Sequence, residues 1–169
     1  MVEKTQNYRI DTQSIPEYPL SFTTPQDEFV DRQDEISLLL KMIDLVKVRG
    51  GANYVIIGRR RIGKSAIVER IYNYLWNSQK EIIPLYFSFV GKKNSFYLKS
   101  LNEMFEAFLK QYYEYRYSVD PEELKKMDID ALIEKGLSFE DRGLRSALNR
   151  YIGARKSGLG LEQAITTLP

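Results

Sequence analysis

The 169-residue chain contains no cysteine and no histidine. Without cysteine there is no disulfide framework and no thiol chemistry. Without histidine the commonest general base and transition-metal ligand is missing. Zinc-hydrolase and Ser-His-Asp chemistries are excluded with it. No apolar run approaches the ~20 residues that a membrane-spanning helix needs. The first ten residues, Met1 to Ile10, are polar and hold no signal-peptide core. These features point to a cytoplasmic protein with no membrane span. Neither sign of charge is in excess: 25 Lys and Arg stand against 23 Asp and Glu, for a net charge of +2. Charge alone therefore does not indicate nucleic acid as a partner. A hydrophobic content of 43% permits a core, and the length suits one domain.

What is present is a sharp motif. Residues 58 to 65 read Gly-Arg-Arg-Arg-Ile-Gly-Lys-Ser, the pattern G-x-x-x-x-G-K-[ST]. It follows a short apolar run, Tyr54-Val55-Ile56-Ile57. In such a loop Gly58 and Gly63 let the backbone turn its N–H groups around a phosphate chain. Lys64 reaches the β- and γ-phosphates, and the Ser65 hydroxyl is placed to bind Mg²⁺. The helix starting there, whose first turn includes Ala66, adds the positive end of its dipole. The candidate phosphate-binding residues are Gly58, Arg59, Arg60, Arg61, Ile62, Gly63, Lys64, Ser65 and Ala66, with Ser65 the metal ligand.

Upstream, residues 29 to 36 read Phe-Val-Asp-Arg-Gln-Asp-Glu-Ile. With the phosphate loop and its arginines, this segment resembles the "F-x-G-R-x-x-E-[LI]" entry of AAA+-like and STAND-like ATPases. The resemblance spans roughly residues 28 to 90. It implies an ATP-binding core with Mg²⁺, in which Phe29, Val30 and Arg32 lie near the adenine. Asp31 stands where the family has glycine. The family's second signature, an apolar strand ending in Asp-Asp or Asp-Glu, is absent between Lys64 and Pro169. The acidic pairs Glu122-Glu123 and Glu140-Asp141 have no apolar run before them. The resemblance thus implies the front part of an ATPase domain, with no recognisable catalytic acid.

Hydrophobic periodicity supplies the rest of the frame. Residues 1–28, with Pro16, Pro19 and Pro25, read as an extended arm in which Tyr18, Leu20 and Phe22 alternate. Residues 29–169 form the domain. Ile36, Leu39, Leu40, Ile43 and Val46 mark a helix over 32–48, ended by Gly50-Gly51. Strand 53–57, a helix over 64–77 and a buried strand over 82–90, closed by Gly91, make a βαβ unit. The second helix places Ile67, Val68, Ile71, Tyr72 and Leu75 on one side and Glu69, Arg70 and Asn73 on the other. A largely aromatic stripe, Tyr97, Leu101, Met104, Phe105, Phe108, Tyr112 and Tyr115, predicts a core- or partner-facing helix over 95–116. Short helices follow: one capped by Asp120, one from Asp128 to Gly136, one over 139–152 with a capping-box-like start at Ser138–Asp141, and a last piece, Leu161–Leu168. The fold class expected is α/β: a parallel, P-loop-like sheet flanked by helices, incomplete, with a helix-rich C-terminal half.

Other basic groups, Arg142, Arg145, Arg150 and Arg155, read as a solvated helix face. Asp34, Glu35 and Glu69 read as surface charge. The function expected is Mg-ATP binding. A small P-loop kinase and a non-catalytic nucleotide-binding module are the rival readings. An incomplete sheet would leave strand edges bare. Direct pairing of the two strands, addition of the arm at 17–23, or self-association of two chains would each cover them.

Overall fold

The computed structural model describes residues 8–48, 50, 53–88 and 96–157, with side chains for residues 102–156 only in the last stretch. These residues form six helices: α1 (Gln33–Lys47), α2 (Lys64–Ser78), α3 (Phe96–Tyr117), α4 (Pro121–Lys126), α5 (Ile129–Ser138) and α6 (Arg142–Ser157). The chain divides into two compact units, Met1–Pro84 and Leu85–Pro169.

The first unit packs α1 against α2. Ile36 and Leu40 from α1 meet Ala66, Ile67 and Ile71 from α2, with Phe29 beside them. Full burial of a side chain of the Ile or Leu type stabilises by about 1.5–3 kcal/mol, so this small seam holds the pair together. The end of α1 is closed by Gly50, whose N–H donates to Leu45 O at 2.8 Å.

The N-terminal segment lies across the other side of α2. The Asn73 carboxamide accepts from Leu20 N at 3.1 Å and donates to Leu20 O at 2.7 Å and Pro16 O at 2.9 Å. Glu69 Oε2 accepts from both the N–H and the hydroxyl of Thr23, each at 2.9 Å. Asn77 donates to Tyr18 O. Arg70 is fully buried and donates to Thr24 O at 2.8 Å. The polar side of α2 is therefore buried, not solvated as its sequence suggests. Prolines and extended backbone leave N–H and C=O groups without a ladder, and these side chains satisfy them.

The second unit contains α3 to α6, with α5 packed on both α6 and α3, and α4 on α3. Its core is Phe105, Leu109, Tyr113, Leu124, Leu132, Ile133, Leu144, Leu148 and Tyr151. Of the aromatic stripe of α3, Phe105 and Tyr115 are buried and Phe108 and Tyr112 pack half-buried against the core; Phe105 stacks on Tyr151 with centroids 4.2 Å apart. Asp120 caps α4 through Glu122 N, and Asp128 caps α5 through Ala131 N, both at 2.9 Å. Asp141 is the residue that opens α6, accepting from Leu144 N at 2.9 Å, in place of the box expected from Ser138. Gly136 does not end α5. It is buried inside the helix at its closest approach to Tyr113 and Leu148.

The expected α/β sheet is not formed: the described residues are helical and include no strand. Residues 53–57 run without turn or bend and pair with no other segment among the described residues. The segment predicted as strand 82–90 is cut by the boundary between the units at Pro84. Within it the carboxamide of Gln111, on α3, takes Tyr86, donating to its C=O and accepting from its N–H, both at 2.9 Å. A strand needs a backbone partner over several residues. Here a single side chain takes one residue's pair of groups, and no ladder forms among the described residues. Residues 89–90, Gly91 and the helix predicted at Leu161–Leu168 lie outside the described residues, as do the side chains of Tyr97 and Leu101. Among the described residues no helix is long and apolar enough to cross a membrane.

Candidate phosphate-binding turn

The Gly58–Ser65 motif lies in the first unit as a turn that enters α2. Arg60 and Arg61 make the turn, Ile62 and Gly63 bend, and the helix begins at Lys64. Arg61 and Gly63 have positive φ, 64° and 87°. A left-handed residue costs an L-amino acid roughly 1–2 kcal/mol and glycine almost nothing. Gly63 is thus the residue type this position calls for, and Arg61 is held there against its preference.

Lys64 folds back over the turn. Its ammonium donates to Gly58 O at 2.9 Å and Arg59 O at 2.8 Å. The N-cap of α2 is Gly63, which has no side chain to cap the helix. The first intrahelical bond runs from Ile67 N to Gly63 O. The N–H groups of Lys64, Ser65 and Ala66 precede it and have no helical acceptor. Ser65 is exposed in the first turn, whereas Ala66 is buried in the core. Arg59, Arg60 and Arg61 are all exposed. No acid occurs between Gly58 and Val68, so the positive helix end and four cationic side chains face no opposing charge from the turn itself.

The upstream residues divide. Arg32 donates to Ile62 O at 3.4 Å and to Glu35 Oε1 at 3.0 Å, which ties the start of α1 to the turn. The Glu35 carboxyl is held below its usual range, first by its own backbone N–H and then by Arg32. Val30 is exposed. Phe29 is buried, its ring centroid 3.8 Å from the Arg70 guanidinium. Phe22 stacks on the same guanidinium at 4.3 Å. Burial lowers the Arg70 pKa. Asp31 adopts a φ of 54° and does not cap α1; the N-cap is Arg32.

Of the remaining candidates, Glu69 is taken up by Thr23. Arg145 donates to Leu137 O at 2.8 Å, and Arg155 pairs with Asp130. Both join α6 to α5 and are not a free basic face. The residues that the sequence did not single out are Glu69, Arg70, Asn73 and Asn77 as arm anchors. Their spacing was the signal: Glu69, Asn73 and Asn77 recur every fourth residue on one line of α2. Among the described residues no group of three or more acidic side chains is placed to hold a metal ion.

No protein-family model, curated protein or solved structure matches this chain. The helical architecture, with no sheet among the described residues, overturns the resemblance to AAA+-like and STAND-like ATPases, and with it the P-loop fold expected from the sequence. The motif stands here as a local turn, not as the signature of a family.

Proposed function

We propose that the Gly58–Ser65 turn binds the phosphate chain of a nucleotide, ATP with Mg²⁺. The observation that carries the reading is the conjunction at the start of α2. Three N–H groups without helical acceptors, the Lys64 ammonium and three exposed arginines lie within one eight-residue turn and the residue after it. That donor set suits phosphate oxygens, which accept several short charge-assisted hydrogen bonds. The backbone N–H groups would hold the phosphates and the Lys64 ammonium would leave the Gly58 and Arg59 carbonyls for a phosphate oxygen. Ser65, exposed in the first turn, would contribute one ligand to Mg²⁺, the phosphates and water supplying the others. The metal would neutralise phosphate charge. No residue of this chain is assigned to hydrolysis. The reading places the chain in the cytoplasm, where the nucleotide pool lies.

Calorimetric titration with Mg-ATP tests it. Replacing Lys64 by alanine removes a charge-assisted contact worth roughly 1.5–3 kcal/mol, so affinity falls about ten- to a hundredfold. Ser65→Ala weakens binding in the presence of Mg²⁺ and not in its absence. Equal affinity of wild type and Lys64→Ala overturns the assignment.

A further inference from the structure

The run before the turn presents apolar side chains and unpaired backbone together. Tyr54, Val55, Ile56 and Ile57 are 46%, 80%, 39% and 89% exposed. The alternation is that of extended chain, with Tyr54 and Ile56 on one side and Val55 and Ile57 on the other. Three of the four are β-branched, the type that strands favour. Among the described residues, none of 53–57 makes a hydrogen bond. Bare N–H and C=O groups along an extended run are what a sheet edge offers and what an added strand satisfies. Lipid does not satisfy them, because hydrocarbon has no hydrogen-bond partner to give. Nucleic-acid bases would stack on Tyr54 and meet only aliphatic side chains after it. The neighbour that fits is backbone in extended form.

Charge selects what that backbone carries. From Leu45 to Val68 the sequence holds Lys47, Arg49, Arg59, Arg60, Arg61 and Lys64 and no acid. Without these six, the 25 Lys and Arg of the chain fall to 19 against 23 Asp and Glu, so the positive excess is concentrated around this run. Lys47 is taken by Asp44 and Glu81, and the Lys64 ammonium by two carbonyls. Arg59, Arg60 and Arg61 are exposed, and among the described residues none of them forms an ion pair. We propose that residues 53–57 dock an extended apolar segment of another protein, one that carries Asp or Glu at the end lying beside Arg59–Arg61. A second copy of this run offers those arginines no complement. Main-chain hydrogen bonds supply the attachment, and apolar side chains of the partner pair across the strands with those of Tyr54 to Ile57. The pairs between its carboxylates and the arginines discriminate against other extended segments.

Fluorescence anisotropy with the full chain reads the outcome, with no nucleotide in any arm, so that the result does not depend on the phosphate-binding reading. The probe is the labelled peptide Glu-Glu-Val-Thr-Val-Tyr-Val-Glu-Glu, acidic at both ends so that either strand direction is served. Saturable binding of one peptide per chain is expected. Lysine in place of the four glutamates weakens it about tenfold or more, because several ion pairs give way to repulsion. N-methylation throughout the apolar run of the peptide removes its donors and abolishes binding. In the protein, adjacent N–H groups point to opposite edges, so Val55→Pro and Ile56→Pro are made separately, and at least one loses the peptide while keeping the helical circular dichroism. Equal binding of the glutamate-flanked and lysine-flanked peptides overturns the proposal. So does binding that survives N-methylation, or that both proline variants retain. Failure of the wild-type chain to bind the acidic peptide also overturns it, since main-chain pairing does not depend on one side-chain sequence. Tighter binding to a single-stranded oligonucleotide or to anionic lipid vesicles, unchanged in both proline variants, overturns it in favour of those ligands.

Discussion

The guanidinium of Arg70 lies 3.8 Å from the ring centroid of Phe29, with the ring of Phe22 at 4.3 Å. One cation is enclosed by two aromatic rings and three carbonyl oxygens, those of Ala66, Thr24 and Pro25. This contact fastens the N-terminal segment to α2 and takes Phe29 out of reach of a ligand.

Replacing Arg70 by alanine therefore removes packing from two rings and leaves the carbonyls without their donor. The expected cost is about 2–4 kcal/mol. Arg70→Met, which keeps much of the volume, costs less, because the charge itself is desolvated where it lies. Denaturant melts of both variants check the order. Limited proteolysis should cut within residues 16–25 faster in Arg70→Ala than in wild type.

Gly136 is tested by adding one carbon. A methyl group there would overlap Tyr113 Oη and lie 2.6 Å from Leu148 Cδ1. Helix propensity alone favours alanine by roughly 0.8–1.0 kcal/mol. Overpacking costs about 1–3 kcal/mol, and with two neighbours in the way it wins. Gly136→Ala is expected to lower the melting temperature. In the Tyr113→Phe background, where the nearest atom is gone, the loss from the same substitution should be smaller. Equal losses in the two backgrounds would show that the hydroxyl is not the obstacle.

Asp141 sets a pH limit on the second unit. Its Oδ2 accepts from Tyr112 Oη at 2.6 Å and Tyr117 Oη at 3.0 Å, while Oδ1 caps α6 through Leu144 N. The Tyr112 hydrogen bond, then the Leu144 N–H, hold the carboxyl below its usual range. A carboxyl depressed on folding contributes stability above its unfolded pKa, near 3.9. That contribution is lost as pH falls through the lower folded value. Burial, then Asp141, raises the pKa values of Tyr112 and Tyr117. Their contribution is full below about pH 10 and is lost as pH rises toward the folded values. Asp141→Asn should flatten the acid side of the stability profile and lower the plateau, as read from urea midpoints across pH.

Gly63→Ala separates strain from collision. A Cβ at Gly63 meets no atom within 4 Å, but φ is 87°. The expected cost is backbone strain alone, about 1–2 kcal/mol. Gly63→Asn, a residue more tolerant of this region, should recover part of it. Thermal melts of the two variants check the ranking.

The sequence by itself determined where the described helices lie and some of their ends, those at Asp120 and Asp128 among them, but not the end of α5 at Gly136 or the box at Ser138. The apolar spacing of Ile36, Leu40, Ile67 and Ile71 marks the faces of α1 and α2, and the aromatic stripe marks α3. Asp120 and Asp128 announce α4 and α5, because a carboxylate that accepts from the first N–H groups acts within three residues of itself. The Gly58–Ser65 turn is legible for the same reason: its glycines and its lysine act on their immediate neighbours. Tertiary structure decided what the non-helical segments pair with. The run Tyr54–Ile57 has the composition of a strand, but a strand is completed by a partner that its own residues do not name. Tyr86 has its backbone taken by the carboxamide of Gln111, 25 residues away, and Leu20 by that of Asn73, 53 residues away. Period and propensity see the helix on which Gln111 and Asn73 lie. They do not see which distant N–H and C=O each amide will meet, and that choice turned an expected sheet into two helical units.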